Sequence, residues 1–319
     1  MKIVLLDTLT MGDDIDFSSI EALGEVVKYE KTLPHERAER IKDADVAVMN
    51  KVVLDSEVLK TAKNLKLVCL FAVGYNNVDV DYCKKHNIKV RNVPGYCTES
   101  VCQHTFALLF SLIENMRYYD DFVKDGRYSK SGVANHLGKR FFEISGKKWG
   151  IIGMGAIGRA VAQCASSFGA EVCYTSISGV KREEKYKEVS FKELLRECDI
   201  ISVHAPLNEK TENLIGEKEL SLMKETAVII NVGRGAIIDE KALANAIDSG
   251  KIGGCALDVY TSEPPKEDSP ILSIKNKERV IYTPHIAWAA AESRERCVLM
   301  TSENIEAFIK GESRNDVWQ

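Results

Sequence analysis

The chain has 319 residues, 45% hydrophobic and 28% charged, with a formal net charge of -4 at pH 7. That length suits two domains with separate cores, and the ordinary balance of apolar and charged residues excludes disorder and fibrous repeats. A slightly negative chain without a basic stripe argues against nucleic acid as the main partner, and no apolar run approaches a membrane span. Its 9 cysteines are scattered, with no Cys-x-x-Cys pair and no Cys/His cluster at zinc spacing. Reduced, mostly buried thiols in the cytoplasm are therefore expected, and metal binding is not. The opening Met1-Lys2-Ile3-Val4-Leu5-Leu6-Asp7 turns acidic after a short strand-like run, unlike a secretory signal.

In chain order, Lys2–Leu6, Val46–Met49, Leu67–Leu70 and Ile88–Val90 carry the β-branched runs of strands. Phe17–Leu23, Asp55–Ala62 and Asp79–His86 between them have helical spacing. A second series begins at Lys148-Trp149-Gly150-Ile151-Ile152. Strands follow near Glu171–Thr175, Asp199–Val203, Ala227–Asn231, Gly253–Leu257 and Val280–Tyr282. Helices are expected at Ala156–Phe168, Ser190–Glu197, Glu217–Met223 and Asp239–Asp248, the last with Asp239 as N-cap and Gly250 just past its end. Alternation of this kind predicts an α/β chain with two doubly wound parallel sheets, a flavodoxin-like substrate domain and a Rossmann dinucleotide-binding domain. Long helical stretches, Glu99 to about Asp125 and Ala287 to about Gly311, flank the second series. If the latter returns to the first half, the substrate domain is discontinuous, 1–98 plus 288–319, with the dinucleotide domain at 99–287. The run Lys181 to Glu188 reads as a solvated helix face.

The strongest local signal is Gly153-Met154-Gly155-Ala156-Ile157-Gly158, which follows a predicted strand and opens a predicted helix. Gly153 suits the tight turn, Gly155 a close approach of backbone to pyrophosphate, and Gly158 tight packing of helix on strand. Ala156 and Ile157 begin the helix, whose free N–H groups face the anion. A bare glycine pattern of this type is weak, and in another context it marks only a structural turn. About 20 residues on, where a carboxylate reads the adenosine ribose of NAD, stands Ser176, followed by Ser178, Lys181 and Arg182. Loss of the acid removes repulsion of a 2′-phosphate, so NAD(P) is the expected cofactor, with NADP(H) slightly favoured over NAD(H). The alternative is that Ser176 only caps a turn and either dinucleotide is used.

Three predicted strand ends then carry ionisable residues: Arg234 in Asn231-Val232-Gly233-Arg234-Gly235, Asp258 and Glu263 after Ala256-Leu257, and His285 in Tyr282-Thr283-Pro284-His285. Singly, each has a plain structural reading: a surface ion pair, a loop carboxylate, a packed histidine. Together, outside the carboxyl ends of a parallel sheet after a phosphate loop, they suit reduction of a 2-oxo acid. An arginine clamps a carboxylate with paired hydrogen bonds, and a histidine delivers a proton to the forming alkoxide while hydride arrives from a nicotinamide. A glutamate beside the imidazole favours its protonated form.

At this point the sequence resembles the D-isomer-specific 2-hydroxyacid dehydrogenases over essentially its full length. The likeness is carried by AVGYNNVD (72–79), GMGAIG (153–158), HAPLNEKTENLI (204–215), INVGRGAIIDE (230–240), ALDVYTSEPP (256–265) and TPHIAWAA (283–290). The resemblance implies that Arg234 binds the substrate carboxylate and carbonyl oxygen, that Glu263 pairs with the acid/base His285, and that Asp258 holds the nicotinamide carboxamide. It implies backbone N–H groups of Val73 and Gly74 on the substrate carboxylate, a homodimer, and two domains closing over a cleft. His204 and Pro206 of the HAPL segment, with Val232, are expected to line the cofactor crevice. NVPGYCTESVCQHTFALL (92–109) and Trp288 resemble the glycerate dehydrogenase/hydroxypyruvate reductase branch. There Trp288 would narrow the site and favour a small side chain, or else simply pack. The remaining histidines carry less: His104 is expected to be satisfied packing, and His35, His86 and His136 surface residues. Cys97 and Cys102 read as small buried apolar residues. Competing readings are a D-lactate-type or phosphoglycerate dehydrogenase, formate dehydrogenase, and, in a different class, a dinucleotide-sensing corepressor scaffold.

Overall fold

The computed structural model describes residues 1–179 and 183–318 and divides into two compact units, Met1–Cys97 with Ala289–Gln319, and Thr98–Trp288. In the first, β1 (Lys2–Leu5), β2 (Glu25–Lys28), β3 (Val46–Met49), β4 (Leu67–Leu70) and β5 (Lys89–Arg91) form a 5-stranded sheet in the order β2-β1-β3-β4-β5. Every pairing is parallel, and this is the doubly wound order of flavodoxin-like sheets. All residues of β3 and β4 are buried, as strands covered on both faces require. β2 has no counterpart among the expected strands because Glu-Val-Val-Lys is a half-exposed edge strand with charges at both ends. The helix Arg37–Ile41 was equally hidden, since it buries only Ile41.

The helix Ala291–Ile309 belongs to this unit and starts later than the helical spacing suggested. Its buried Cys297, Val298, Thr301 and Ile305 recur at helical spacing. At the end of β5, Arg91 is buried. It donates to Asp316 Oδ1 at 2.9 Å, Asn304 O at 2.7 Å and Glu312 O at 2.5 Å, tying the C-terminal segment to the sheet.

In the second unit, β6 (Lys148–Ile152), β7 (Glu171–Thr175), β8 (Lys187–Glu188), β9 (Ile200–Val203), β10 (Val228–Asn231), β11 (Gly254–Leu257) and β12 (Val280–Tyr282) form a 7-stranded sheet. Its order, β12-β11-β10-β9-β6-β7-β8, reverses direction between β6 and β9. That is the Rossmann switch point, where the carboxyl ends of neighbouring strands diverge and leave a crevice. Asp239 caps the helix Glu240–Asp248 by accepting from Lys241 N and Ala242 N, and Gly250 follows with φ +72°, the left-handed exit that glycine permits.

Two expectations fail here for local reasons. The helix foreseen from Glu99 to about Asp125 is broken: Thr98–Ile113 ends, Asn115 takes φ 53°, and Met116–Lys124 follows. Asn115 tolerates that conformation and donates Nδ2 to Ile113 O and Arg140 O. The charged run ending at Glu188 is no helix face where it is described, because Lys187 and Glu188 pair with Cys173 and Tyr174 as an edge strand. Lys181 and Arg182 lie outside the described residues. Among the described residues no helix is long and apolar enough to cross a membrane, and the cysteines are all free thiols.

Candidate active site

The strand registers bring the motif residues to one edge of the second sheet. Ile152 pairs with Val203, Val203 with Asn231, Asn231 with Leu257, and Leu257 with Tyr282. The phosphate loop, His204, Arg234, Asp258 and His285 each leave that edge within three residues of a strand end.

The three glycines of the loop are not interchangeable. Gly153 has φ +97°, and a Cβ there would lie 2.8 Å from Ala205 N, so the loop presses on the chain leaving β9. A Cβ on Gly158 would sit 2.2 Å from Gly153 O, so only glycine lets the helix Ala156–Ser167 pack this closely. Gly155 has nothing within 4 Å of a would-be Cβ. It opens space directly above the helix N-terminus, which no side chain caps, with Ala156 exposed and Ile157 half-buried beside it. Uncapped N–H groups facing an open glycine cradle fit a pyrophosphate. Ser176 follows β7 half-buried, its Oγ 3.0 Å from Ser178 Oγ. Glu184, a carboxylate of the following loop, is held by Arg159 at 2.9 Å.

His204 sits beside the switch point. Its Nε2 lies 3.0 Å from Ser202 Oγ, which accepts from Trp149 Nε1 at 2.9 Å. Burial pushes its pKa down to about 3, so the ring is neutral at physiological pH, and its Nδ1 is buried with no partner among the described residues. Pro206 is exposed on the next turn, its carbonyl accepting from Thr211 Oγ1 at 2.6 Å.

After β10 and the buried Val232, Asn231 folds the glycine turn by accepting from Gly233 N at 3.0 Å and donating to Arg234 O at 2.9 Å. Arg234 is half-buried and forms no ion pair among the described residues; its guanidinium donates only to Gly233 O, at 2.8 Å. A cation so placed is available to an anion. A Cβ on Gly235 would fall 1.9 Å from Tyr260 C, so the turn abuts the loop after β11. Tyr260 N in turn donates to Glu263 Oε1 at 3.2 Å. The Arg234 turn and Glu263 are thus neighbours through one tight backbone contact.

Glu263 Oε2 lies 2.5 Å from His285 Nδ1. His285 has φ 56°, a conformation that costs a non-glycine residue roughly 1–3 kcal/mol and persists only where surroundings enforce it. Here Asp258 enforces it. Its carbonyl accepts His285 N at 2.8 Å, while its carboxylate accepts Ile286 N and Ala287 N at 2.9 Å each and Thr283 Oγ1 at 2.6 Å. Burial alone would raise the Asp258 carboxyl, but the hydrogen bonds from His104, Thr283, Ala287 and Ile286 outweigh it and hold the pKa below its usual value. Trp288 is half-buried and donates Nε1 to His285 O at 2.9 Å, bracing the same loop.

The model of the D-isomer specific 2-hydroxyacid dehydrogenase NAD binding domain matches residues 106–287. The chain belongs to this family. It is similar to a hydroxypyruvate reductase of Blautia hydrogenotrophica, 37% identical with 99% of both chains covered. Among solved structures it resembles a D-lactate dehydrogenase from Aquifex aeolicus complexed with NAD and lactic acid, with TM-score 0.85, 32% identity, and 97% of this chain and 96% of that one covered. It also resembles an acyclic imino acid reductase in complex with NADPH and D-Arg, with TM-score 0.88, 31% identity, and 99% and 100% covered. This D-2-hydroxyacid dehydrogenase is accordingly an oxidoreductase acting on CH–OH donors with a nicotinamide dinucleotide.

Within the first unit of the dehydrogenase, Val73 is exposed and Gly74 half-buried on the loop after β4, where Val73 O accepts from Asn92 Nδ2 at 2.6 Å. Asp258 is fully buried, and both of its carboxylate oxygens accept amides of the His285 loop, so it braces the loop from inside. Two contributors were not foreseen. Tyr260 donates its hydroxyl to Thr283 O at 2.9 Å. Glu240 accepts from Thr261 N at 2.7 Å and Ser269 Oγ at 3.2 Å, holding the loop that carries Glu263. Only the carboxylate in Ile-Ile-Asp-Glu hinted at the latter.

Proposed function

We propose that the enzyme reduces a small 2-oxo acid, hydroxypyruvate or glyoxylate, to the D-2-hydroxy acid. The observation that carries this reading is the Glu263–His285 contact of 2.5 Å, held against the turn of an arginine with no carboxylate partner among the described residues. Arg234 clamps the substrate carboxylate and polarises the carbonyl. His285 donates the proton from Nε2 to the forming alkoxide, because Nδ1 is engaged by Glu263. The bound dinucleotide supplies the hydride. Gly153, Gly155, Ala156, Ile157 and Gly158 hold its pyrophosphate, and His204, Pro206 and Val232 line its crevice. Asp258 holds the nicotinamide carboxamide while its carboxylate braces the His285 loop.

In the same reading the first unit is the substrate domain, and Val73 and Gly74 offer backbone N–H groups to the substrate carboxylate. Trp288 narrows the site toward small side chains. NADP(H) is preferred over NAD(H). No acid stands at Ser176, and Glu184 is already neutralised by Arg159. A cytoplasmic homodimer fits the free thiols and the apolar surface of Val123, Val133, Leu137 and Phe141, the third of which is 87% exposed. Initial rates of NADPH and NADH oxidation with hydroxypyruvate, glyoxylate, pyruvate and a bulky 2-oxo acid test the reading. The expected order puts hydroxypyruvate or glyoxylate first and NADPH ahead of NADH. Preference for the bulky acid would overturn the substrate assignment, and preference for NADH the cofactor assignment.

A further inference from the structure

His104 lies on the helix Thr98–Ile113, half-buried, with Nε2 3.0 Å from Thr283 Oγ1 and 3.6 Å from Asp258 Oδ1. The proton count along this chain has one solution. Asp258 is held ionised and can only accept. Thr283 has a single hydroxyl proton, and the 2.6 Å contact spends it on Asp258 Oδ1. Thr283 Oγ1 must then accept from His104, so His104 carries its proton on Nε2.

We propose that His104 is a positioning residue for the acid/base histidine, acting through Thr283 and Asp258 as an Nε2–H donor. Asp258 is the common anchor. Its carbonyl and carboxylate receive the amides of His285, Ile286 and Ala287, and those amides keep His285 in its left-handed conformation. The Thr283 hydroxyl fixes one carboxylate oxygen, and His104 fixes the hydroxyl's rotation. Without the His104 donor the hydroxyl is free to turn away, the carboxylate loses a partner, and the loop carrying His285 loses its single setting. This rests on the reading of His285 as the proton donor.

The test compares His104→Phe, which keeps a ring but no donor, with His104→Gln, which keeps an N–H at similar reach. Displacement of a catalytic group by up to about 1 Å lowers kcat by as much as about a hundredfold. That loss is expected for His104→Phe, with unchanged dinucleotide affinity by calorimetry. His104→Gln should recover most of it. Thr283→Val should reproduce the loss and Thr283→Ser should not, which guards against a folding failure at position 104. Nitrogen-15 NMR of the histidines in the dinucleotide-bound protein reads the tautomer without reference to turnover, and His104 is expected with Nε2 protonated. Wild-type kcat in both His104→Phe and Thr283→Val, or an Nδ1-protonated neutral His104, would overturn the proposal. Were His285→Gln instead to keep turnover, the proton-donor reading would fall, and the tautomer would still report on His104 separately.

Discussion

Replacing His285 with glutamine should lower kcat for 2-oxo acid reduction by about 10²- to 10⁴-fold, the span that general acid catalysis supplies. Glutamine fills similar space and can still meet Glu263, but it has no proton to give near neutrality. The phosphate loop and His204 lie on other strand ends, so dinucleotide affinity by calorimetry should change little. A fall in kcat with intact binding separates lost chemistry from lost structure. Near-normal turnover in His285→Gln would show that the alkoxide takes its proton from elsewhere.

The largest stability effect is expected in the first unit, at Arg91→Ala. Arg91 and Asp316 have side chains only 3% and 5% exposed. Removing the guanidinium leaves a buried carboxylate without its ion-pair partner and the carbonyls of Asn304 and Glu312 without this donor. Breaking one partner of a buried pair costs about 3–5 kcal/mol, a large share of the stability of most domains. Thermal or urea unfolding measures it, and a loss below about 1 kcal/mol would place the pair among weak surface contacts.

The pH dependence has a defined sign. Burial alone would raise the Asp316 carboxyl, but hydrogen bonds from Ser313 and Arg91 and the guanidinium charge lower it overall. A carboxyl lowered in the fold stabilises it fully above the unfolded value of about 3.9, and this contribution fades as pH falls toward the lower native value. The deficit of Arg91→Ala should therefore be constant near neutrality and shrink below about pH 4.

Much of the site was legible because its residues follow strands whose buried character is written locally. Gly153, Gly155, Arg234 and His285 all fall within three residues of a predicted strand end, and a parallel sheet gathers such ends at one edge. What stayed hidden depended on distant partners or on weak local signals. His104 looked like packing because its partner Thr283 is 179 residues away. The residue type at Asp258 marked a functional strand end, yet nothing local says that its carboxylate turns inward to brace the His285 loop. β2 and β8 are short edge strands rich in charge, and edge positions relax the apolar pattern on which strand prediction depends. The break at Asn115 interrupts an otherwise helical run at one residue suited to a left-handed turn.

The most direct test of the central claim is the handedness of the product formed from hydroxypyruvate and NADPH by the purified enzyme, resolved by chiral chromatography. Arg234 and His285 fix the substrate by its carboxylate and carbonyl oxygen, so hydride can reach only one face of the carbonyl carbon. The account predicts D-glycerate alone, formed in step with NADPH consumption. L-glycerate, a racemic mixture, or no product from an enzyme that still binds NADPH would contradict it.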